Sequence, residues 1–544
     1  MSRRNLATVV LLLTVLKAFT IWAQVTTATI SGTVTDSSGA VMPGVAIVIQ
    51  NEDTGINRTA TSDAAGRYLA PSLSLGNYRV TASMAGFQTE LRRGIVLTVG
   101  REAVVNLQLS AGAVAQTVEV TGEAPLVQTT EATVSYLIND RTVRDLPLNG
   151  RDITQLILLN PGVAVAPNGS NTNGYQGWAP KLAIAGSRAE DSAYLLDGSY
   201  INDLNHHIPS GPSGALLGVE TVREFQVLTN AFGAQYGRTL GGVYNAVTKT
   251  GTNELHGAAY EFLRNSALDA RNFFDRKLFP TDPRIPPFRR NQFGASLGGP
   301  IKKDRTFFFL NYEGLREALT STRVANEPDA KARLGLVGTT TVVVSDKIKP
   351  YLPLFPLPSP QGRNFGDGTA QFIFAAPQPT QDDFGLLRLD HQFSQNDSGF
   401  LRFVESRSEQ TTVQELPVFT TRKRMTTRLV TIAATHIFSP RMLATSRFSF
   451  NRVDPRDVGT FPSVDPSLYS FPGAITSSGF SVTGMTGYLG YSNITDWLTT
   501  NRFPFQEDVN LTLGSHALKI GGSFERLQYN ERFYAAWPDR KSVV

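Results

Sequence analysis

The clearest pattern in the chain is strict alternation of apolar and polar positions over short stretches. In Phe505 to Leu513, Val509, Leu511 and Leu513 share one face, and Gln506, Asp508, Asn510 and Thr512 share the other. The following stretch sets Leu518, Ile520 and Phe524 against Lys519, Ser523 and Glu525, and an earlier one sets Leu387, Leu389 and Phe393 against Arg388, Asp390 and Gln392. A period of two predicts strands with two unlike faces. Alternation alone fits a half-buried soluble sheet equally well, and the connections decide between the two. Short turns at Lys302-Lys303-Asp304, Ser394–Asp397, Ser439-Pro440-Arg441 and Gly514-Ser515 alternate with long connections over 266–290, 318–382, 410–424 and 454–502. Hairpins that are tight at one end and long at the other predict a transmembrane β-barrel, with short periplasmic turns and long outer loops. Phe307-Phe308-Phe309, Tyr312, Phe393, Phe438 and Phe503 are placed to form aromatic girdles.

Earlier in the chain the pattern changes. Thr29–Thr35, Val45–Ile49, Asn77–Ala82 and Val104–Leu109 are β-branched runs separated by turn residues, the signature of a small β-sandwich. Asn139 to Leu146 and Arg151 to Leu159 carry helical spacing, with Asn160-Pro161-Gly162 as a stop. Between Gly112 and Gln128 lies a linker that contains Thr117-Val118-Glu119-Val120-Thr121, a segment whose plain reading is a last sandwich strand or an ordinary linker. The glycine-punctuated stretch Gly241 to Lys249, a Thr-Gly-Thr-Asn turn and the run from His256 to Phe262 mark the passage into the strand-rich half.

The N-terminus adds targeting. Met1 to Arg4 is a positive n-region, Leu6 to Leu16 an apolar run too short to span a bilayer, and Ala23 a small residue before Gln24. An exported chain with no other long apolar run enters a membrane only as strands. The chain contains no cysteine and carries a formal charge of +5 over 544 residues, which offers neither a thiol site nor a nucleic-acid footprint.

Few motifs suggest chemistry. Gly294-Ala295-Ser296-Leu297-Gly298 matches the hydrolase elbow, but a turn and another strand follow it where that elbow needs a helix. His206 and His207 sit in a Pro/Gly loop without the three or four convergent ligands of a metal site. No catalytic residue, metal site or cofactor is expected.

Three blocks in order, LPLNGRDITQLILLNPGV, IAGSRAEDSAYLLDGSYIND and VREFQVLTNAFGAQYGRTLGGVYNAVTKTGTN, resemble the plug of TonB-dependent outer-membrane receptors of the Oar-like branch. SGTVTDSSGAVMPGVAIVI, TSDAAGRYLAPSLSLGNYRVTASMAGF and VVNLQL resemble the carboxypeptidase regulatory-like domain, grouped with carbohydrate-binding-like folds. The resemblance implies a mainly β chain: a signal peptide over 1–23, a regulatory-like sandwich over 24–112, a linker over 113–124, an α+β plug over 125–252, and part of a barrel over 253–544. About nine strands are countable where plugged transporters have about 22, so a truncated barrel is expected.

By the same resemblance, Thr117 to Thr121 is a TonB box, engaged by TonB and the inner-membrane energising complex. Tyr200, His206 and His207 belong to a plug loop that faces an external ligand. That ligand is open among siderophore, oligosaccharide, peptide and cobalamin. Import across the outer membrane is the expected function. The alternatives are a non-transporting surface protein for adhesion or envelope organisation, and a secreted enzyme with a regulatory sandwich.

Overall fold

The computed structural model describes residues 26–535 except 113–116, 122–133, 147, 149–150, 153, 167–180, 204–207, 215–217, 231, 238, 271–284, 286, 415, 418, 461–483, 486–492 and 515. The leader read over 1–23, both His206 and His207, and the final residues 536–544 lie outside the described set.

The first unit is a sandwich. Strands β1 (Ala28–Asp36), β4 (Arg67–Leu73), β7 (Glu102–Val104) and β8 (Leu107–Leu109) make one sheet. Strands β2 (Ala46–Asn51), β3 (Asn57–Thr61), β5 (Gly76–Ser83), β6 (Thr89–Leu97) and β9 (Thr117–Thr121) make the other, in the order β3-β2-β5-β6-β9. Ile30, Val34, Ile47, Ile49, Val80, Leu97, Leu107 and Leu109 fill the space between them, each with 1% of its surface or less exposed. The run read as one strand over Val104–Leu109 is two, interrupted where the Asn106 side chain accepts hydrogen bonds from Thr33.

The second unit is α+β. Its sheet runs β10 (Val134–Ile138), β15 (Val222–Asn230), β16 (Val243–Thr248), β13 (Ala193–Leu196), β14 (Ser199–Tyr200). A side hairpin is formed by β11 (Val163–Val165) and β12 (Leu182–Ile184). Helix α1 (Asp140–Asp145) is capped by Asn139, whose side chain accepts from the Thr142 N–H at 2.9 Å. Helix α2 spans only Thr154–Ile157, shorter than the run read over Arg151–Leu159.

The third unit is one antiparallel sheet of nine strands. They are β17 (His256–Asn265), β18 (Phe288–Lys302), β19 (Thr306–Pro328), β22 (Thr369–Gln392), β23 (Asp397–Val413), β24 (Thr420–Ser439), β25 (Met442–Thr460), β26 (Asn493–Leu513) and β27 (His516–Ala535), paired in chain order. A small hairpin of β20 (Leu336–Val337) and β21 (Thr340–Thr341) sits in the longest connection. The faces are inverted relative to a soluble sheet. Asn311, Arg388, Arg402, Gln506 and Asp508 are buried on the concave side, while Leu310, Ile432, Phe448, Phe505 and Ile520 are exposed on the convex side. This is the sidedness of a membrane barrel wall.

Two expectations need correction. The connection read over 410–424 is short, because β23 and β24 continue past their apolar rows and leave only the residues between Val413 and Thr420 unpaired. Phe307 and Phe309 do not belong to a girdle: both point inward and are buried, Phe309 within the core of the α+β unit. Phe308 lies between them on the outer face, and Phe393 and Phe438 are exposed at the tight-turn end.

The α+β unit fills the concave side. Tyr194, Leu196, Phe225 and Tyr244 share one core with Phe309, Phe384, Leu386, Val404 and Leu429 of the wall. The sandwich docks at the tight-turn end. The Asp53 carbonyl accepts from the Asn253 N–H at 2.9 Å, and Asn253 in turn donates to the Asp304 carboxylate at 2.7 Å. Val99 N–H donates to Glu224 of β15.

Candidate functional site

The feature that ties the inner unit to the wall is built from a two-residue turn. Asp197-Gly198 joins β13 to β14, with φ of +47° and +74°, pairing Leu196 with Ser199. Positive φ at both turn residues is what a tight hairpin with right-handed strand twist requires, and Asp-Gly is a preferred solution. The turn projects the Asp197 carboxylate toward the wall.

Three barrel arginines meet the turn, two of them at this carboxylate. Arg388 Nη1 lies 3.1 Å from Asp197 Oδ1, and Arg402 Nη1 lies 2.7 Å from Oδ2. Thr248 adds its N–H and hydroxyl, both at 2.9 Å. Arg447 donates to the Gly198 carbonyl at 3.4 Å and to Gln506 at 3.1 Å. The arginines are themselves held. Arg388 forks onto Asp390 and stacks over Phe400 at 4.3 Å, and Arg402 donates to the Leu196 carbonyl and to Thr431. Burial alone would raise the Asp197 pKa, but Arg388, Arg402 and the Thr248 N–H outweigh it and hold the carboxyl below its ordinary range.

A second contact has the opposite polarity. Arg151, in a left-handed conformation at φ +53°, lies 3.3 Å from Glu220 of the inner unit and 3.5 Å from Glu313 of β19. Its guanidinium sits 4.1 Å above the Tyr260 ring and 5.1 Å from that of Phe262, on the inward face of β17. Smaller bonds add to these: Arg502 donates to the Asp203 carbonyl at 3.0 Å, and Asn451 to the Tyr200 carbonyl at 2.5 Å.

Such an arrangement does no bond chemistry. It is a latch made of buried, mutually paired charges, and its parts cannot separate without exposing or stranding them. Among the described residues no group of three or more His, Asp or Glu could hold a metal ion. Gly294 to Gly298 lies inside β18 in unbroken register with β19, so the elbow-like motif is ordinary wall.

The residues singled out in the sequence fall in different places. Tyr200 is buried, with its hydroxyl donating to the Gly237 carbonyl at 2.5 Å and its ring packed near Tyr236 and Val243. A ligand-facing role for it has no geometric support. His206 and His207 lie outside the described residues. Thr117–Thr121 is β9, paired in parallel with β6 from Thr89↔Thr117 to Arg93↔Thr121, with Arg93 and Glu119 in a 3.0 Å ion pair. Asp197, Arg402 and Arg447 were not singled out, and Arg388 and Arg151 entered only as a polar strand position and the start of a helical run. The Asp-Gly turn between apolar runs was the one available signal.

Comparison with known families fits this three-part architecture. Residues 29–110 match the carboxypeptidase regulatory-like domain, 127–243 the TonB-dependent receptor plug domain, and 247–536 an outer membrane beta barrel domain. The chain belongs to the TonB-dependent outer-membrane receptor family. Its inner unit is therefore the plug, its sheet the barrel wall of an outer-membrane protein, and its sandwich faces the periplasm. Over 317 residues the receptor is 26% identical to the TonB-dependent transporter Oar of Myxococcus xanthus, covering 55% of this chain and 28% of that protein. It is 28% identical over 199 residues to the ferrienterobactin receptor of Escherichia coli, covering 35% of this chain and 24% of that protein. The matched region thus spans about a quarter of either relative. Among solved structures, the outer membrane transporter YddB from Escherichia coli aligns with 73% of this chain and 48% of its own, at 13% identity and a TM-score of 0.47.

Proposed function

We propose that the receptor imports an external ligand through its barrel, and that the periplasmic TonB protein drives this by pulling on β9. The observation that carries this reading is the position of Thr117–Thr121. It is the last strand of the sandwich sheet, no other strand of the described residues pairs with its outer edge, and it precedes the plug in the chain. A strand with one free edge accepts a partner strand through main-chain hydrogen bonds. Tension on it acts on the linker into the plug, and through the plug on the Asp197 and Arg151 contacts. The Escherichia coli relative is by name a ferrienterobactin receptor, which makes ferric siderophores the first ligand class to test here.

Val118→Pro removes a backbone donor and fixes φ, whereas Val118→Ala leaves the backbone intact. In cells making the whole receptor, the proline variant should keep surface binding of ligand but lose energised uptake and capture of a TonB fragment. The alanine variant should retain all three. Unchanged uptake in the proline variant contradicts the assignment of the box.

A further inference from the structure

The convex face of the barrel changes character along one line. The outward row Phe308–Leu389–Leu401–Ile432–Phe448–Phe505–Phe524, read through the strand register, is entirely apolar. So is the next row away from the sandwich, Leu310–Leu387–Phe403–Val430–Phe450. The row after that reads Tyr312–Gly385–Glu405–Arg428–Arg452. Beyond it the outward positions include Asp383, Arg407 and Asp454, then Arg316, Glu409, Arg424 and Arg456, then Arg422. Because the sandwich marks the periplasmic end, this charged belt borders the hydrocarbon on its outer side.

The belt has a regular internal order. Glu405 lies between Arg407 at 2.8 Å and Arg428 at 3.0 Å. Glu409 lies between Arg422 at 2.6 Å and Arg424 at 3.3 Å. Asp454 lies between Arg456 at 3.1 Å and Arg452 at 3.8 Å. Asp383 holds Arg316 at 2.7 Å. Three carboxylates thus serve six arginines, and on β19 and β22–β25 the belt carries arginine but no lysine. The guanidinium groups keep exposed surface, 64% for the Arg407 side chain and about half for Arg422 and Arg424. Arg456 also lies 5.4 Å from the ring of Trp497, an aromatic at the same level.

We propose that this belt is a binding site for phosphorylated lipid headgroups of the outer leaflet. Charge complementarity carries the assignment. Paired planar guanidiniums match phosphate oxygens bidentately, and Glu405, Glu409 and Asp454 each pre-orient two of them while cancelling only one charge. The apolar rows directly beneath present acyl chains with the surface they need, so the ligand is a lipid and not a soluble anion. A purely structural ion-pair network would be near charge balance, and this one keeps an excess of guanidinium.

The test uses the full 544-residue chain in neutral detergent, with Trp497 fluorescence and native mass spectrometry as readouts. The probes are a bis-phosphorylated lipid A, the same lipid after dephosphorylation, and inorganic phosphate. The phosphorylated lipid should bind at least tenfold more tightly than its dephosphorylated form, and free phosphate should not compete at millimolar concentration. Arg424→Gln/Arg456→Gln and, separately, Arg407→Gln/Arg428→Gln should each reduce that preference severalfold, while circular dichroism shows the strands intact. Arg67→Gln on the sandwich surface should leave it unchanged. Equal binding of the two lipids, or a preference untouched by both double variants, overturns the proposal. Effective competition by free phosphate overturns the lipid assignment.

Discussion

Arg402 of the barrel reaches across to Asp197 of the plug, Nη1 to Oδ2 at 2.7 Å, with neither side chain more than 2% exposed. Arg388 contacts the other carboxylate oxygen, so one aspartate on a tight turn neutralises charge from two strands of the wall. Removing a single partner from such a buried set strands the others, at a cost of roughly 3–5 kcal/mol. Asp197→Asn should therefore loosen the plug far more than its small change in shape suggests. Hydrogen exchange should show β13, β14 and β16 losing protection while the amides of β24 and β25 hold theirs. Equal protection in both proteins would mean that the contact is not a latch.

Gly198 is a separate test of the same turn. Its φ is +74°, and a Cβ there would stand 2.8 Å from the Arg447 guanidinium carbon. Gly198→Ala should cost about 1 kcal/mol or more through backbone strain, since only glycine adopts that region freely. Gly214, also at positive φ but with open space around it, separates strain from crowding. Gly214→Ala should show the strain alone. The two variants are compared by the denaturant midpoint of plug unfolding.

The junction between sandwich and plug should respond to pH. Glu224 is 4% exposed, and burial pushes its carboxyl up to about 7, against the Val99 N–H and Arg223, which favour its charge, and with Asp140, which disfavours it. The folded pKa lies above the unfolded one, so the stabilising contribution is complete below about pH 4.5 and is lost as pH rises through about 7. At about 1.4 kcal/mol per pKa unit the loss is roughly 3 kcal/mol by pH 8. Glu224→Gln should flatten thermal stability between pH 5 and pH 8. A slope unaltered by the substitution would assign the pH response to another group.

A second carboxyl behaves alike on the outer side. Glu327 is fully buried beyond the charged belt, neither of its oxygens has a hydrogen-bond partner among the described residues, and burial pushes its pKa up to about 8, against Arg333. It too costs stability as pH rises from its unfolded range toward 8. Glu327→Gln should stabilise the outer extension of β19 and β22 at pH 8 and change it little at pH 5, read by protease resistance of the connection 329–368.

How much of this was legible in the sequence follows from what each feature depends on. The alternation of Leu387, Leu389 and Leu511 against Arg388 and Asp508 was readable because lipid and plug impose different chemistry on the two faces. Beyond the bilayer both faces meet water or protein, and the constraint lapses. That is why Thr411, Thr412 and Thr421 read as loop although they pair in register. Phe307 and Phe309 were misplaced because the inner face near the plug is apolar too. Of the latch only the Asp-Gly turn was legible, since Asp197 and Arg402 are brought together by the fold and not by any local pattern. The segment Thr117–Thr121 was read as a TonB box in a linker and, more plainly, as a last sandwich strand, and its β-branched residues do pair with the edge of β6.

The parked strand yields its own prediction. Arg93 and Glu119 are both substantially exposed, so their 3.0 Å pair contributes at most about 1 kcal/mol. Arg93→Ala should make β9 easier to peel and raise TonB-fragment affinity by a few-fold, as measured by calorimetry. Unchanged or weaker binding would indicate that β9 is engaged in place.

The most direct measurement staples the strand where it lies. The chain contains no cysteine, so Leu91→Cys and Glu119→Cys introduce one pair at facing positions of β6 and β9. Neighbouring strands lie about 4.8 Å apart, within disulfide reach. With the staple oxidised, ligand should still bind at the cell surface, but energised uptake should stop and return on reduction. Uptake that continues at its full rate with the disulfide formed would contradict the claim that force enters the receptor through β9.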